Sequence, residues 1–271
     1  MTEIPALDLL QTIVLALVQG LTEILPISSS GHLILVPWLL GWPDQGLAFD
    51  VAMHMGTLVA IVWYFRDDVV RYWHGWLRSF ATRSLDQDGR LAWALALGTV
   101  PAAVAGLALE DLASGTLRAP TVVAATTVGY ALLLGAADRF GTKRRDARSV
   151  TLSDALLIGC AQALALIPGT SRSGVTMTAG LALGLDRTGA ARFSFLLSIP
   201  ITAAAGGLEA LELARADAPQ AWGPMALAAV IAGLVTYASV AWLLRFIQRI
   251  GLWPFVVYRL MLGALLWGLL A

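Results

Sequence analysis

The sequence predicts an all-α polytopic membrane protein with six transmembrane crossings and two re-entrant helical hairpins in an inverted-topology repeat. The first observation is composition: 58% of the residues are hydrophobic and 13% are charged, with a mean hydropathy of +0.75. Soluble domains carry about 25% charged residues. The other two observations are the lengths of the apolar runs and two short polar stretches that interrupt them. We expect one membrane domain over residues 1–271.

Six apolar runs reach the roughly 20 residues that a helical crossing needs. They are 47–65, 91–109, 119–137, 192–213, 223–245 and 253–271. Two further runs, 6–25 and 152–167, each lead into a polar stretch and are followed by a shorter apolar piece, 32–41 or 175–185. Because these pieces are too short to cross, we predict that each pair forms a hairpin that enters the membrane and returns to its own side.

Charge placement predicts the topology. Fourteen of the eighteen Lys and Arg residues fall in segments that this arrangement puts in the cytoplasm, mainly 66–90 and 138–151, against Arg118 and Arg215 outside. Cytoplasmic segments of membrane proteins carry such an excess. Both termini are then periplasmic, the first hairpin enters from the periplasm, and the second enters from the cytoplasm.

The two halves of the chain, approximately 1–140 and 150–271, are predicted to be inverted relative to each other. Each has one hairpin and three crossings, and an odd number of crossings reverses the direction. This arrangement is common in transporters, whose sites lie where interrupted helices meet near the midplane. Irregular backbone at that depth must be buried in protein or line a wet cavity. We therefore expect the working site where the two hairpins meet.

The polar stretches have the residues of an anion site. Pro26 and Pro168 end the incoming helices, and hydroxyl residues can cap the outgoing ones. Helix N-termini bind anions through free N–H groups and the helix dipole, and Arg172 adds a planar fork suited to phosphate. The candidate phosphate-binding residues are Gln19, Ser28, Ser30, Thr170, Ser171 and Ser173, and Ser29 is a further hydroxyl donor.

Glu23 lies among these anion-binding residues although a carboxylate repels phosphate, and two roles account for it. It could hold a divalent cation that bridges to the phosphate, or it could act as a general acid or base. Gln19, one helical turn earlier, could hydrogen-bond the carboxylate or the ligand. His32 and Ser29 are alternative nucleophiles. We predict a structural role for His54 and a snorkelling position for Arg259.

The two motifs, 19–32 and 168–174, resemble the signature motifs of the undecaprenyl-diphosphate phosphatases, the family linked to bacitracin resistance. The resemblance extends to 193–200 and 254–259, over essentially the whole chain. It implies a multi-pass enzyme of the bacterial inner membrane that removes the terminal phosphate of undecaprenyl diphosphate. The product would be the lipid carrier for peptidoglycan synthesis.

Carried over residue by residue, the resemblance implies that the catalytic residues are Glu23, Ser29, His32 and Arg172, with Gln19 and Ser171 beside them. It also implies Mg²⁺ or Ca²⁺ at Glu23, a homodimer and contact with the lipid bilayer. Gln19 stands where the family often has Glu, so Asp50 is a candidate second carboxylate. The alternative function is a carrier or flippase for polyprenyl phosphates. A net charge of zero gives no sign of a nucleic-acid partner.

Overall fold

The computed structural model describes residues 8–109, 117, 119–215 and 221–270, and every regular element in these ranges is helical. The α-helices are α1 (Leu9–Thr22), α2 (Ser29–Leu40), α3 (Leu47–Tyr64), α4 (Arg66–Thr82), α5 (Gln87–Ala108), α6 (Pro120–Phe140), α7 (Leu152–Ala163), α8 (Arg172–Ala182), α9 (Arg187–Arg215), α10 (Trp222–Arg249) and α11 (Trp253–Leu270). Short 3-10 turns span Ala147–Ser149 and Leu164–Leu166. Arg118 and both chain ends, to which the predicted topology assigned sides, lie outside the described residues.

The prediction of six helices that can cross a membrane is confirmed. Within the described ranges α3, α5, α6, α9, α10 and α11 are long and apolar enough to do so. The interrupted pieces are shorter: α1 has 14 residues, α2 and α7 have 12 each, and α8 has 11. As expected, the incoming helices α1 and α7 end before Pro26 and Pro168.

One predicted loop is mostly helical. Segment 66–90 contains all of α4, whose buried residues Asp68, Tyr72 and Gly75 recur at helical spacing and face α5. This spacing produces a helix with one buried face even though the segment is too polar to cross. The basic residues of the segment therefore lie on a helix surface.

Close helix packing holds the interrupted pieces inside the bundle. Helix α1 packs against α10, and α7 packs against α5. At the second contact a Cβ on Gly159 would lie 2.2 Å from the carbonyl oxygen of Gly98, so only glycine fits. Small residues at helix contacts are typical of membrane bundles. Helix α8 in turn contacts α6, α7 and α9, which places both polar stretches near the centre of the molecule.

Candidate active site

The first turns of α2 and α8 have the same local structure. Ser28 and Ser171 are their N-caps, with φ of 75° and 72°, and each side chain accepts a hydrogen bond from the N–H three residues later, at 3.4 Å and 3.2 Å. Left-handed φ at a residue other than glycine is strained, and such strain clusters at functional sites. By position relative to the cap, Ser29 of the first motif corresponds to Arg172 of the second.

These two corresponding residues both contact the Glu23 carboxylate. Ser29 Oγ donates to Glu23 Oε2 at 2.7 Å, and Arg172 Nη2 donates to Oε1 at 2.5 Å. Gln19 Nε2 also donates to Oε2, at 3.2 Å, and His54 Nε2 lies 3.6 Å from the same oxygen. Glu23 is buried. The structure therefore joins the acid, one candidate nucleophile and the arginine.

Arg259 connects the two polar stretches from the side of α11. Its Nη1 donates to the carbonyl oxygens of Pro26 and Thr170, both at 3.1 Å, Nη2 donates to Gly169 at 2.7 Å, and Nε donates to Thr127 at 3.2 Å. The side chain is fully buried. The prediction that it snorkels is wrong, because these carbonyl groups satisfy it at depth. Its acceptors are backbone groups far apart in sequence, so no residue pattern indicates them.

A cavity of about 700 Å³ opens beside the Glu23 carboxylate. Its polar end is lined by Glu23, Ser28, Ser29, Ser30, His54, Ser171, Arg172 and Ser173. Most of its remaining wall is apolar or small and follows Pro101 in α5 and Pro200 in α9; it includes Ala102, Ala103, Gly106, Leu107, Ile201, Ala204, Ala205, Gly206 and Leu208. The site therefore combines an anion-binding end with an apolar channel.

Comparison with known proteins identifies the family. The family profile described as bacitracin resistance protein BacA matches residues 12–265. The chain belongs to this family. Undecaprenyl-diphosphatase 2 of Stutzerimonas stutzeri is 55% identical to this member of the bacitracin resistance family over 96% of this chain and 97% of the relative. Undecaprenyl-diphosphatase of Nitrosococcus oceani is 54% identical over 97% and 99%. The resemblance inferred from the two motifs is confirmed.

Three of the predicted site residues of this bacitracin resistance family member do not line the cavity: Gln19, Thr170 and His32. His32 Nδ1 lies 2.7 Å from the Ser28 carbonyl oxygen, and Nε2 lies 2.5 Å from the Tyr258 hydroxyl. Since a carbonyl only accepts, we assign the ring proton to Nδ1, and Nε2 then accepts from Tyr258. Both ring nitrogens are engaged, so this geometry leaves no nitrogen of His32 free to attack a ligand in the cavity.

His54 is the site residue that sequence reasoning missed. It lines the cavity, and its Nδ1 lies 2.8 Å from the Asp50 carbonyl oxygen one turn earlier. That bond directs Nε2 towards Glu23. The available signal was its position inside a predicted crossing, since an ionisable residue within the membrane is a functional candidate by default.

A resident divalent cation does not fit the residues around Glu23. Both carboxylate oxygens already accept hydrogen bonds, and the positive guanidinium of Arg172 occupies one side. Asp50 accepts from Gln45 Nε2 at 2.9 Å. In the described part of the chain, no group of three His, Cys, Asp or Glu residues is placed to hold a metal ion. The chemistry below is therefore derived from the side chains alone.

Proposed function

We propose that this protein hydrolyses undecaprenyl diphosphate to undecaprenyl phosphate and inorganic phosphate, and so recycles the lipid carrier for peptidoglycan synthesis. The convergence of Ser29 and Arg172 on Glu23, at the polar end of an apolar-walled cavity, carries the proposal. The names of the relatives, which cover nearly the whole chain, support the same substrate. A prenyl chain would follow the apolar wall between α5 and α9.

The terminal phosphate would bind at the starts of α2 and α8. Helix N-termini offer N–H groups to anions, and the hydroxyl groups of Ser30, Ser171 and Ser173 line the same end. Arg172 uses Nη2 for Glu23, whereas its buried Nη1 has no partner among the described residues. One arginine can therefore hold the carboxylate and donate to a phosphate oxygen at the same time.

Ser29 is the nucleophile that this geometry favours. Its Oγ attacks the terminal phosphorus while its proton passes to Glu23 Oε2, the atom to which it already donates. The Oγ–P bond forms, the bond from phosphorus to the bridging oxygen breaks, and the electron pair leaves on the prenyl monophosphate. Water then attacks the phosphoserine, and Oγ leaves with the proton held by Glu23. Inorganic phosphate keeps the hydroxyl of that water, whose second proton goes to solvent.

The membrane arrangement is part of the proposal. α1 with α2 and α7 with α8 would form re-entrant hairpins in an inverted repeat, which the matching first turns of α2 and α8 support. The charge distribution supports a periplasmic opening of the site and periplasmic termini in the bacterial inner membrane. The homodimer stays a prediction, which light scattering of the purified protein would test.

Phosphate release from a long-chain prenyl diphosphate by purified protein in detergent tests the function. We expect release by the wild type and a loss of at least about 10³-fold in Ser29→Ala, since removing a covalent nucleophile disables both steps. Ser30→Ala, two positions after the cap, is the matched control and should lose less than about 10-fold. Transport of polyprenyl phosphate across vesicles without any hydrolysis would instead support the carrier function.

The chemistry of a trapped intermediate decides the nucleophile. Protein quenched during turnover of substrate labelled at the terminal phosphate should carry label that is stable in acid and labile in alkali, as a phosphoserine is. Acid-labile label that disappears in His32→Ala would show that the histidine attacks and that the assignment to Ser29 is wrong.

A further inference from the structure

Gln162 is a buried glutamine whose amide has no partner. It lies on α7 with 2% of its surface exposed, and neither Nε2 nor Oε1 has a hydrogen-bond partner among the described residues. The same side chain lines the cavity that contains Glu23 and Arg172. Leaving a buried polar group unpaired is costly, and such groups in native proteins usually mark a place for a ligand or water.

The register of the two motifs explains why this amide is free. Gln162 lies nine positions before the N-cap Ser171, as Gln19 lies nine before the N-cap Ser28. The amide of Gln19 donates to Glu23, five positions before its cap. The corresponding position in the second motif is Leu166, which offers no acceptor. The second glutamine therefore has the position of the first without its carboxylate.

We propose that Gln162 binds the diphosphate of the substrate, with Nε2 donating to the phosphate that stays on the lipid. The inference rests on the proposed function. The terminal phosphate must lie against Ser29, in reach of Arg172, so the second phosphate lies farther along the cavity. Gln162 shares that lining with Ala165 and Leu166 of its own segment, at the transition from the polar end to the apolar wall. Oε1 accepts from water bound beside the phosphate.

A neutral amide suits this position. It stabilises the bound diphosphate but holds the monophosphate product less firmly than a second arginine would, because hydrogen bonds between two charged groups are stronger. Contact with the phosphate that remains on the lipid would also favour diphosphates over ligands with a single phosphate.

Gln162→Leu separates a ligand-binding role from a structural one. Leucine has a similar volume and removes two unpaired polar atoms, so the variant should unfold at the same temperature as the wild type or higher. A hydrogen bond to a charged group should meanwhile be lost, and we expect kcat/KM for prenyl diphosphate to fall by about 10–100-fold. Most of that loss should be an increase in KM, because the contact exists before the reaction begins.

The experiment measures kcat, KM, thermal unfolding and the affinity for a methylene-bridged prenyl diphosphonate, which cannot be hydrolysed. Gln248→Leu, at an exposed glutamine of α10, is the control and should match the wild type in every measurement. Gln162→Met serves as a second apolar variant. Weaker diphosphonate binding with undiminished stability supports the proposal. Unchanged binding, or a loss of binding that parallels a loss of stability in both variants, overturns it.

The same measurements distinguish the two proposals. Wild-type protein that binds the diphosphonate through Gln162 but releases no phosphate would refute the enzymatic function alone. Normal hydrolysis by Gln162→Leu with normal KM would refute the role of Gln162 alone.

Discussion

Replacing Arg259 with lysine should weaken both the fold and the site. The guanidinium makes four hydrogen bonds to backbone carbonyl oxygens, three of them in the polar stretches at Pro26, Gly169 and Thr170. A lysine ammonium keeps the charge but lacks the planar fork and cannot span the same acceptors. Breaking a buried charged network in this way costs about 3–5 kcal/mol.

That loss converts to a decrease of roughly 6–20 °C in Tm, at about 2–4 °C per kcal/mol for a chain of comparable size. Differential scanning fluorimetry in detergent measures it, with Arg245→Lys, an exposed arginine of α10, as the control. Well below its Tm, Arg259→Lys should still lose at least about 10-fold in kcat, since displacing catalytic groups by about 1 Å is enough for a large loss of rate. A Tm within 2 °C of the wild type, or full activity in the folded variant, would refute the clamp role.

Three further predictions concern metal, pH and the site histidine. Without substrate, Mg²⁺ and Ca²⁺ should show no tight site by equilibrium dialysis, because both oxygens of Glu23 are engaged; one tightly bound ion that is lost in Glu23→Gln would contradict this. Burial alone raises the pKa of the Asp154 carboxyl, but hydrogen bonds from Arg145 and Thr151 outweigh it and hold the pKa below its ordinary value of 3.8. The stabilisation is thus present above the unfolded pKa and is lost as pH falls through the folded one, so the Tm difference between wild type and Asp154→Asn should shrink from pH 7 towards pH 3; a constant difference would argue against the ion pair. His54→Ala should lower kcat/KM about 10-fold without lowering Tm, and equal losses of both would indicate a packing role.

Local sequence properties predicted most of the helices. Apolar runs gave α3 and α10 to within a few residues, because a helix in a membrane satisfies its own backbone groups and needs only an apolar surface of sufficient length. The N-caps at Ser28 and Ser171 were predictable for a similar reason: capping depends on residues three positions apart. Segment 66–90 was harder, since its helix depends on one face packed against α5.

The candidate site was predicted in part. Glu23, Ser29 and Arg172 could be named because each is a polar or ionisable residue in an otherwise apolar stretch. Their mutual contacts could not, since Arg172 lies 149 positions from Glu23. The exchange of emphasis between the two histidines shows the limit most clearly: His32 and His54 each bond a carbonyl one turn earlier, and only the surrounding helices decide which one faces the cavity.

The sequence by itself determined which segments are helical, where the polar stretches interrupt them and which residue types stand there, because these follow from hydrophobicity, proline and capping over a few neighbouring positions. The tertiary structure alone decided that Ser29 and Arg172 meet on one carboxylate, that Arg259 is buried between two loops, and that Gln162 is left without a partner. The physical reason is that hydrogen bonds act over about 3 Å. Which groups come within that distance depends on how all the helices pack together.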